Sequence, residues 1–169
     1  MSYVKNDGVN IYYEVHGEGN PLVLLRGLSG TVSGWESYLE YLTDKYQVIL
    51  IENRGAGKSD KPDDIYTVEI FASDVKCVLD ELGIEKAAIL GLSMGGFIAQ
   101  AFYDSYPESV SALILGCTGS GFKDPNHVRF SRNVEQVLWA ERTDENRAEI
   151  NEKFLKHFFH NDFCEQHPK

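Results

Sequence analysis

The chain has 169 residues, of which 43% are hydrophobic and 25% charged, enough for one globular domain with a sizeable core. Its formal net charge of −10 argues against nucleic acid or an anionic membrane as the main partner. No apolar run is long enough to span a bilayer, the N-terminus has no signal-peptide core, and the three cysteines show neither metal-ligand nor disulfide spacing. We therefore expect a cytoplasmic protein.

Six segments predict β-strands. The first two, Tyr3–Lys5 and Val9–His16, are rich in β-branched and aromatic residues and are joined by a hairpin turn at 6–8. The next four are uniformly apolar, as expected for strands that are buried on both faces. These four are Leu22–Leu25, Val48–Ile51, Ala87–Leu90 and Ala112–Leu115.

Helical patterns alternate with the apolar strands. Ser33 and Glu36 fit a capping box at the start of the first helix. Thr67 is predicted to cap the second helix, and Gly83 to end it. The third helix stops before Pro107. This alternation predicts an α/β fold with a mostly parallel, doubly wound sheet.

The pattern changes from residue 122 onward, where no strand signal returns. Apolar residues recur at helical spacing within 134–138 and 150–158, and the tail is rich in phenylalanine. A helical segment of this kind is expected to cover something apolar. We therefore expect a core domain at residues 1–121 and part of a helical cap at 122–169.

One segment has the spacing of a catalytic turn. Gly91-Leu92-Ser93-Met94-Gly95 follows a buried strand, precedes a helical pattern and fits Gly-x-Ser-x-Gly. The two glycines permit close approach of strand and helix, and the serine hydroxyl then projects above a helix N-terminus, where backbone N–H groups are free. The alternative is a plain strand-to-helix turn with a solvated serine, because the pattern also arises by chance.

Two further loops are expected near this turn. The loops that contain Leu28 and Arg54 each follow an apolar strand, as Ser93 does. In a parallel sheet the carboxyl ends of the strands share one edge, and ligands bind there. Topology alone therefore predicts that these loops converge with Ser93.

With these features the chain resembles the α/β-hydrolase superfamily, in particular its single-domain esterases and lactonases with a helical cap. The turn at 91–96 matches the family form, and the loop at 52–60 resembles the family's Asp-x-Arg-Gly-x-Gly-x-Ser loop. Tyr106-Pro107-Glu108 followed by Leu113–Leu115 resembles the approach to the sixth strand of the family. The three motifs occur in the family's order, and the likeness covers nearly the whole chain.

The resemblance implies roles for three residues. Ser93 resembles the nucleophile, and the backbone N–H groups of Met94 and Leu28 resemble the oxyanion donors. The implied activity is a serine hydrolase acting on a small-molecule carboxylic ester or lactone through an acyl-serine intermediate. It implies no metal and no organic cofactor. Serine at the apex argues against the dehalogenase and epoxide-hydrolase branches, which use a carboxylate nucleophile.

Two positions depart from the family pattern. Arg26 stands before Gly27 where the family usually has histidine, and Glu52 replaces an aspartate in the loop at 52–60. We expect Arg26 to pair with Glu52 or another carboxylate; the alternative is a cation that favours anionic substrates. Arg54 resembles a structural anchor of the family and is not assigned a catalytic role.

The resemblance also implies an acid and then a histidine after the serine. The later histidines all fall in the helical segment or the tail, and none follows a strand: His127, His157, His160 and His167. The later aspartates are expected to be surface or capping residues: Asp124, Asp144 and Asp162. The sequence therefore resembles the N-terminal part of a longer hydrolase, with a C-terminally incomplete sheet.

Two other hypotheses stay open. In the first, the chain is a truncated or degenerate hydrolase that binds a ligand or a partner without catalysis. In the second, self-association or a separate C-terminal piece completes the sheet and the triad through the exposed sheet edge. A compact monomer in solution would count against the second.

Overall fold

The computed structural model describes residues 2–120, 143, 145–146, 148–150 and 152–153. The chain separates into two compact units, residues 1–124 and 125–169. In the second unit, positions 148–150 and 152–153 are helical. The predicted cap helix at 134–138 and most of that at 150–158 lie outside the described residues, so the cap and the boundary at 121/122 stay predictions.

In the described part of the first unit, six strands form one sheet in the order β1-β2-β4-β3-β5-β6. The strands are β1 (Ser2–Asn6), β2 (Val9–His16), β3 (Asn20–Leu25), β4 (Tyr46–Ile51), β5 (Ala87–Leu92) and β6 (Val110–Gly116). β2 pairs antiparallel with β1 and β4, whereas β3 pairs parallel with β4 and β5, and β5 with β6. The predicted α/β fold with a mostly parallel sheet is confirmed.

Three α-helices connect the strands: α1 (Glu36–Leu42), α2 (Val68–Glu81) and α3 (Met94–Ser105). Short 3-10 turns precede α1 at Val32–Trp35 and β6 at Pro107–Ser109. The side chains of α2 and α3 pack on one face of the sheet, on Val23, Leu25, Ile49 and Ile89. The segment before α1 packs on the other face, on Leu22, Leu24, Val48 and Leu50. Because successive residues of a strand point to opposite faces, a uniformly apolar strand contributes apolar side chains to the core on each face of the sheet.

The last strand differs from the prediction. The sequence predicts that Ala112–Leu115 is buried, but residues 111–115 are exposed, with Ile114 at 46%. The reason is its position, since β6 lies at the edge of the described sheet and pairs only with β5 there. Its apolar composition is that of an interior strand.

The helix ends follow their predicted chemistry in three cases out of four, and one of these is α3, which ends at Ser105, before Pro107. Thr67 caps α2 by accepting a hydrogen bond from Ile70 N at 3.3 Å, and Gly83, with φ +65°, follows the end of that helix. The predicted capping box at Ser33 is wrong. The 3-10 turn begins after Thr31 instead, and Ser33 Oγ lies 2.8 Å from Thr31 Oγ1, so it does not cap α1.

The parallel register places the carboxyl ends of β3, β4, β5 and β6 at one edge. The loops at Leu28 and Arg54 and the turn at Ser93 therefore leave the sheet on the same side. Within the described residues, no helix has the length and apolar character needed to cross a membrane.

Candidate active site

Ser93 occupies the sharp turn between β5 and α3. Its backbone lies at φ 56° and ψ −118°, a conformation that costs a non-glycine residue about 1–3 kcal/mol. Two backbone hydrogen bonds hold the turn, from Ser93 N to Gly116 O at 3.0 Å and from Gly96 N to Ser93 O at 2.9 Å. The surrounding fold thus keeps the side chain of Ser93 exposed at the N-terminus of a helix.

The glycines of this turn are needed because backbone approaches backbone. A Cβ on Gly91 would lie 2.2 Å from Gly95 O, and a Cβ on Gly95 would lie 2.4 Å from Leu25 O. A Cβ on Gly96 would lie 2.5 Å from a side-chain atom of Thr118. The turn therefore requires glycine on both sides of Ser93, which is the physical content of the Gly-x-Ser-x-Gly pattern.

The loop after β3 touches Ser93. A Cβ built on Gly27 would lie 3.1 Å from Ser93 Cβ and 3.4 Å from its Oγ. A tight turn starts there, with Gly30 N donating to Gly27 O at 3.0 Å and Ser29 at φ 59°. Leu28 is the second residue of this turn, so its amide is one residue away from the contact with Ser93.

Among the described residues, the amides of Leu28 and Met94 donate no hydrogen bond. Met94 is the first residue of α3, where backbone N–H groups have no partner within the helix. Unoccupied N–H groups next to a nucleophile can stabilise the oxyanion of acyl transfer, each by about 3 kcal/mol. Their roles as oxyanion donors stay predictions.

Arg26 does not pair with Glu52. Its Nη1 donates to Gly34 O at 3.0 Å, and its Cζ lies 5.2 Å from the centroid of the Trp35 ring. Within the described ranges it forms no salt bridge. The predicted pairing of Arg26 with Glu52 is therefore wrong. The carboxylate of Glu52 accepts from backbone N–H groups, and the guanidinium of Arg26 contacts a backbone carbonyl and an aromatic ring instead.

Glu52 joins the loops that follow β3 and β4. Its side chain is 2% exposed, its Oε1 accepts from Val32 N at 3.1 Å, and its Oε2 accepts from Lys58 N. Buried carboxylates need such donors, because an unpaired charge is costly inside a protein. Glu52 thus holds both loops at the edge of the sheet that carries Ser93.

Arg54 anchors its loop to α2. Its Nε lies 2.7 Å from Asp74 Oδ2 and its Nη2 lies 2.6 Å from Asp74 Oδ1. The hydrogen bonds to Asp74 raise the pKa of the guanidinium above its ordinary value. The sequence argument did not identify Asp74. The available signal was a carboxylate beside Phe71 and Val75 in the apolar stripe of a helix.

The structure places no histidine beside Ser93 in residues 2–120. The histidine in that range, His16, ends β2, and its Nε2 lies 2.9 Å from Glu14 Oε2. Since His16 pairs with Val48, it lies toward the amino ends of the parallel strands, away from Ser93. The other candidates lie outside the described residues: His127, His157, His160, His167, Asp124, Asp144 and Asp162.

Comparison with known proteins agrees with this geometry. A family model described as alpha/beta hydrolase fold matches residues 20–166. The chain is 40% identical over 121 residues to a 2-hydroxy-6-oxononadienedioate/2-hydroxy-6-oxononatrienedioate hydrolase of Paraburkholderia phymatum, covering 67% of this chain and 41% of the relative. Epoxide hydrolases are also among the matched relatives. The chain spans less than half the length of these curated relatives, 41% at most.

Two solved structures are similar to the chain. One is an N-acyl homoserine lactone degrading enzyme, with 38% identity and a TM-score of 0.65, covering 70% of this chain and 46% of that one. The other is an enol-lactonase from Burkholderia xenovorans, with 26% identity and a TM-score of 0.80, covering 99% of this chain and 63% of that one. The similarity therefore extends from the sequence to the arrangement of the sheet and helices.

Proposed function

Because the chain belongs to the alpha/beta hydrolase fold family, we propose that Ser93 is the nucleophile of a hydrolase acting on a small-molecule carboxylic ester or lactone. The observation that carries the proposal is the strained, exposed Ser93 at the junction of β5 and α3. Strain of this kind persists only where the surrounding structure imposes it, and it concentrates at functional sites. A plain strand-to-helix turn would relax.

In the proposed reaction, Ser93 Oγ attacks the carbonyl carbon of the substrate and its proton passes to a base. The carbonyl oxygen gains negative charge, which the N–H groups of Leu28 and Met94 stabilise. Collapse of the tetrahedral intermediate expels the alcohol, or opens the lactone ring, and leaves an acyl-serine. Water then attacks the acyl carbon and releases the carboxylic acid and the free serine.

The base and its orienting acid are assigned to residues beyond the described part of the chain. The proposal therefore concerns the whole hydrolase, to which this chain contributes the nucleophile, the oxyanion donors, the core at 1–121 and the start of a cap at 122–169. A longer protein would supply the missing members, in keeping with the greater length of the relatives. We also propose a cytoplasmic location.

Ester or lactone chemistry is favoured over epoxide opening for two reasons. The residue at the apex is a serine, and the superfamily branch that opens epoxides uses a carboxylate there. Two similar structures are named as a lactone-degrading enzyme and an enol-lactonase. The substrate class assigned here is accordingly a small acyl compound, and the reaction needs neither metal nor organic cofactor.

A second candidate function is binding without catalysis, with the chain associating through β6. One observation favours it: the edge strand exposes Leu113, Ile114 and Leu115, each at least 36% exposed. An unpaired strand edge with apolar side chains is a surface for pairing with another strand. Self-association or complementation by a separate piece would use this surface, and sedimentation of the chain would detect it.

Labelling with a fluorophosphonate probe tests the nucleophile. In the whole hydrolase, intact mass should show one adduct on wild type, none on Ser93→Ala, and one on Ser105→Ala, a matched control at the exposed end of α3. If the folded whole hydrolase stays unlabelled, Ser93 is not an activated nucleophile and the proposal fails. An adduct that persists in Ser93→Ala would place the reactive group elsewhere.

A further inference from the structure

We propose that Arg26 is a positioning residue, whose side chain fixes the turn that carries the Leu28 oxyanion donor beside Ser93. This inference rests on the proposed function, because it assigns Arg26 a role in the reaction of Ser93.

The Arg26 side chain runs along the loop from the end of β3 to the 3-10 turn before α1. A Cβ on Gly30 would lie 2.6 Å from Arg26 Cβ, and a Cβ on Gly34 would lie 2.6 Å from Arg26 Cζ. The stem of the arginine therefore contacts the end of the turn that starts at Gly27, and its guanidinium contacts the loop four residues later. Glycine at 30 and 34 leaves room for this path.

The guanidinium is held at its far end by two contacts of different kinds. Nη1 donates to Gly34 O at 3.0 Å, and the planar group lies over the Trp35 ring at 5.2 Å. Trp35 is 5% exposed and packs with Leu22 and Leu24 on the sheet, so this end is fixed to the core. A lysine could reach a carbonyl but would not reproduce a planar group that donates to it while lying over the ring.

Arg26 thus connects both ends of the loop 27–34, while Glu52 holds its middle through Val32 N. Gly27, the residue between Arg26 and Leu28, lies beside Ser93, since a Cβ built on it would come within 3.1 Å of Ser93 Cβ. A shift at Arg26 is therefore transmitted to the position of the Leu28 amide. Oxyanion donors act only at hydrogen-bond distance, so displacement by about 1 Å costs up to about a hundredfold in rate.

The first measurement is amide hydrogen exchange of the folded chain by NMR, comparing wild type with Arg26→Met, Arg26→Lys and Lys86→Met. The last is a matched control, an exposed cation before β5. We expect exchange at Gly30 N, which donates to Gly27 O, to accelerate by at least about tenfold in both Arg26 variants, with Leu24 unchanged. Gly34→Ala, which displaces the guanidinium, should accelerate exchange at Gly30 N less in the Arg26→Met background than in wild type.

The second measurement is the rate at which the fluorophosphonate probe phosphonylates Ser93 in the whole hydrolase, a reaction that develops negative charge on an oxygen where the substrate oxyanion would lie. We expect a drop of about tenfold or more in Arg26→Met and in Arg26→Lys, and none in Lys86→Met. A cation that merely attracted anions would be replaced by lysine, so full recovery in Arg26→Lys overturns the proposal.

The remaining outcomes separate the two proposals. Unchanged exchange at Gly30 in Arg26→Met overturns the role of Arg26, and so does faster exchange with an unchanged rate of phosphonylation. If Ser93 of the whole wild-type hydrolase does not react while exchange accelerates as expected, the proposed function fails. The control of the turn by Arg26 then stands.

Discussion

Arg54 and Asp74 form a buried, two-point ion pair between the loop after β4 and the helix α2, with the side chains 9% and 2% exposed. Asn6 adds a third hydrogen bond, from its Nδ2 to Asp74 Oδ1 at 2.8 Å. The pair ties the loop at the active-site edge to a helix that packs on the sheet. Its contribution to stability depends on both partners being present, because an unpaired charge in such a place is strongly unfavourable.

We expect Asp74→Asn to lower the free energy of unfolding by about 3–5 kcal/mol, because it leaves the guanidinium of Arg54 buried without a counter-charge. The matched control is Asp80→Asn in the same helix, which removes the surface partner of Lys76 and should cost at most about 0.5 kcal/mol. Chemical denaturation of the three proteins measures both values. Equal costs for the two variants would show that the Arg54 pair is not buried in solution.

Glu52 gives a second prediction, because its two carboxylate oxygens each accept from a backbone N–H. In Glu52→Gln one of these acceptors becomes an NH2 group that faces a donor. We expect a loss of about 2–3 kcal/mol in the free energy of unfolding, against less than about 0.5 kcal/mol for Glu36→Gln at the exposed start of α1. Denaturant titration distinguishes the two, and a neutral effect of Glu52→Gln would contradict the assigned contacts.

The sheet could be predicted from the sequence because burial on two faces has a direct compositional signal. Leu22–Leu25, Val48–Ile51 and Ala87–Leu90 are apolar throughout, and they form the central strands β3, β4 and β5. The same apolar composition wrongly predicted that β6 is buried. Composition shows that a strand is suited to the interior of a sheet, but it does not show whether another element covers that strand. The Thr67 cap was predictable because its hydrogen bond is local.

The partners of charged residues at the site could not be predicted in the same way. Arg26 binds the carbonyl of Gly34, and every residue has a carbonyl, so no side-chain pattern marks the partner. Arg54 and Asp74 are separated by 20 positions, and only the fold brings them together. The turn at Ser93 was predictable because its glycines are required by backbone contacts that recur wherever a strand turns so sharply into a helix.

Gly95 and Gly83 allow a steric clash to be separated from backbone strain. A Cβ on Gly95 would lie 2.4 Å from Leu25 O, whereas a Cβ on Gly83 meets nothing within 4 Å but sits at φ +65°. We expect Gly95→Ala to cost about 3 kcal/mol through overpacking and Gly83→Ala about 1 kcal/mol through strain alone. Thermal unfolding ranks the two variants. If Gly83→Ala proved the more damaging, the start of α3 would not approach Leu25 at the end of β3 as closely as described.

The hydrogen bonds of Glu14 make stability depend on pH. Tyr12 Oη donates to Glu14 Oε1 at 2.5 Å, and this bond is the main cause that lowers the pKa of Glu14 below its ordinary value of 4.5. Since the folded state favours the charged carboxylate, its contribution is present above about pH 4.5 and is lost as the pH falls through the lower, folded pKa. Glu14→Gln lacks that titration and should cost about 1 kcal/mol at neutral pH.

The measurement is the free energy of unfolding of wild type and Glu14→Gln from neutral pH down to about pH 3. We expect the difference between the two proteins to shrink as the solution becomes more acidic, because only wild type loses a charged acceptor. Glu18→Gln, at an exposed turn position, serves as the control and should follow wild type throughout. A difference that stays constant across this range would mean that the Tyr12 bond does not favour the ionised form of Glu14.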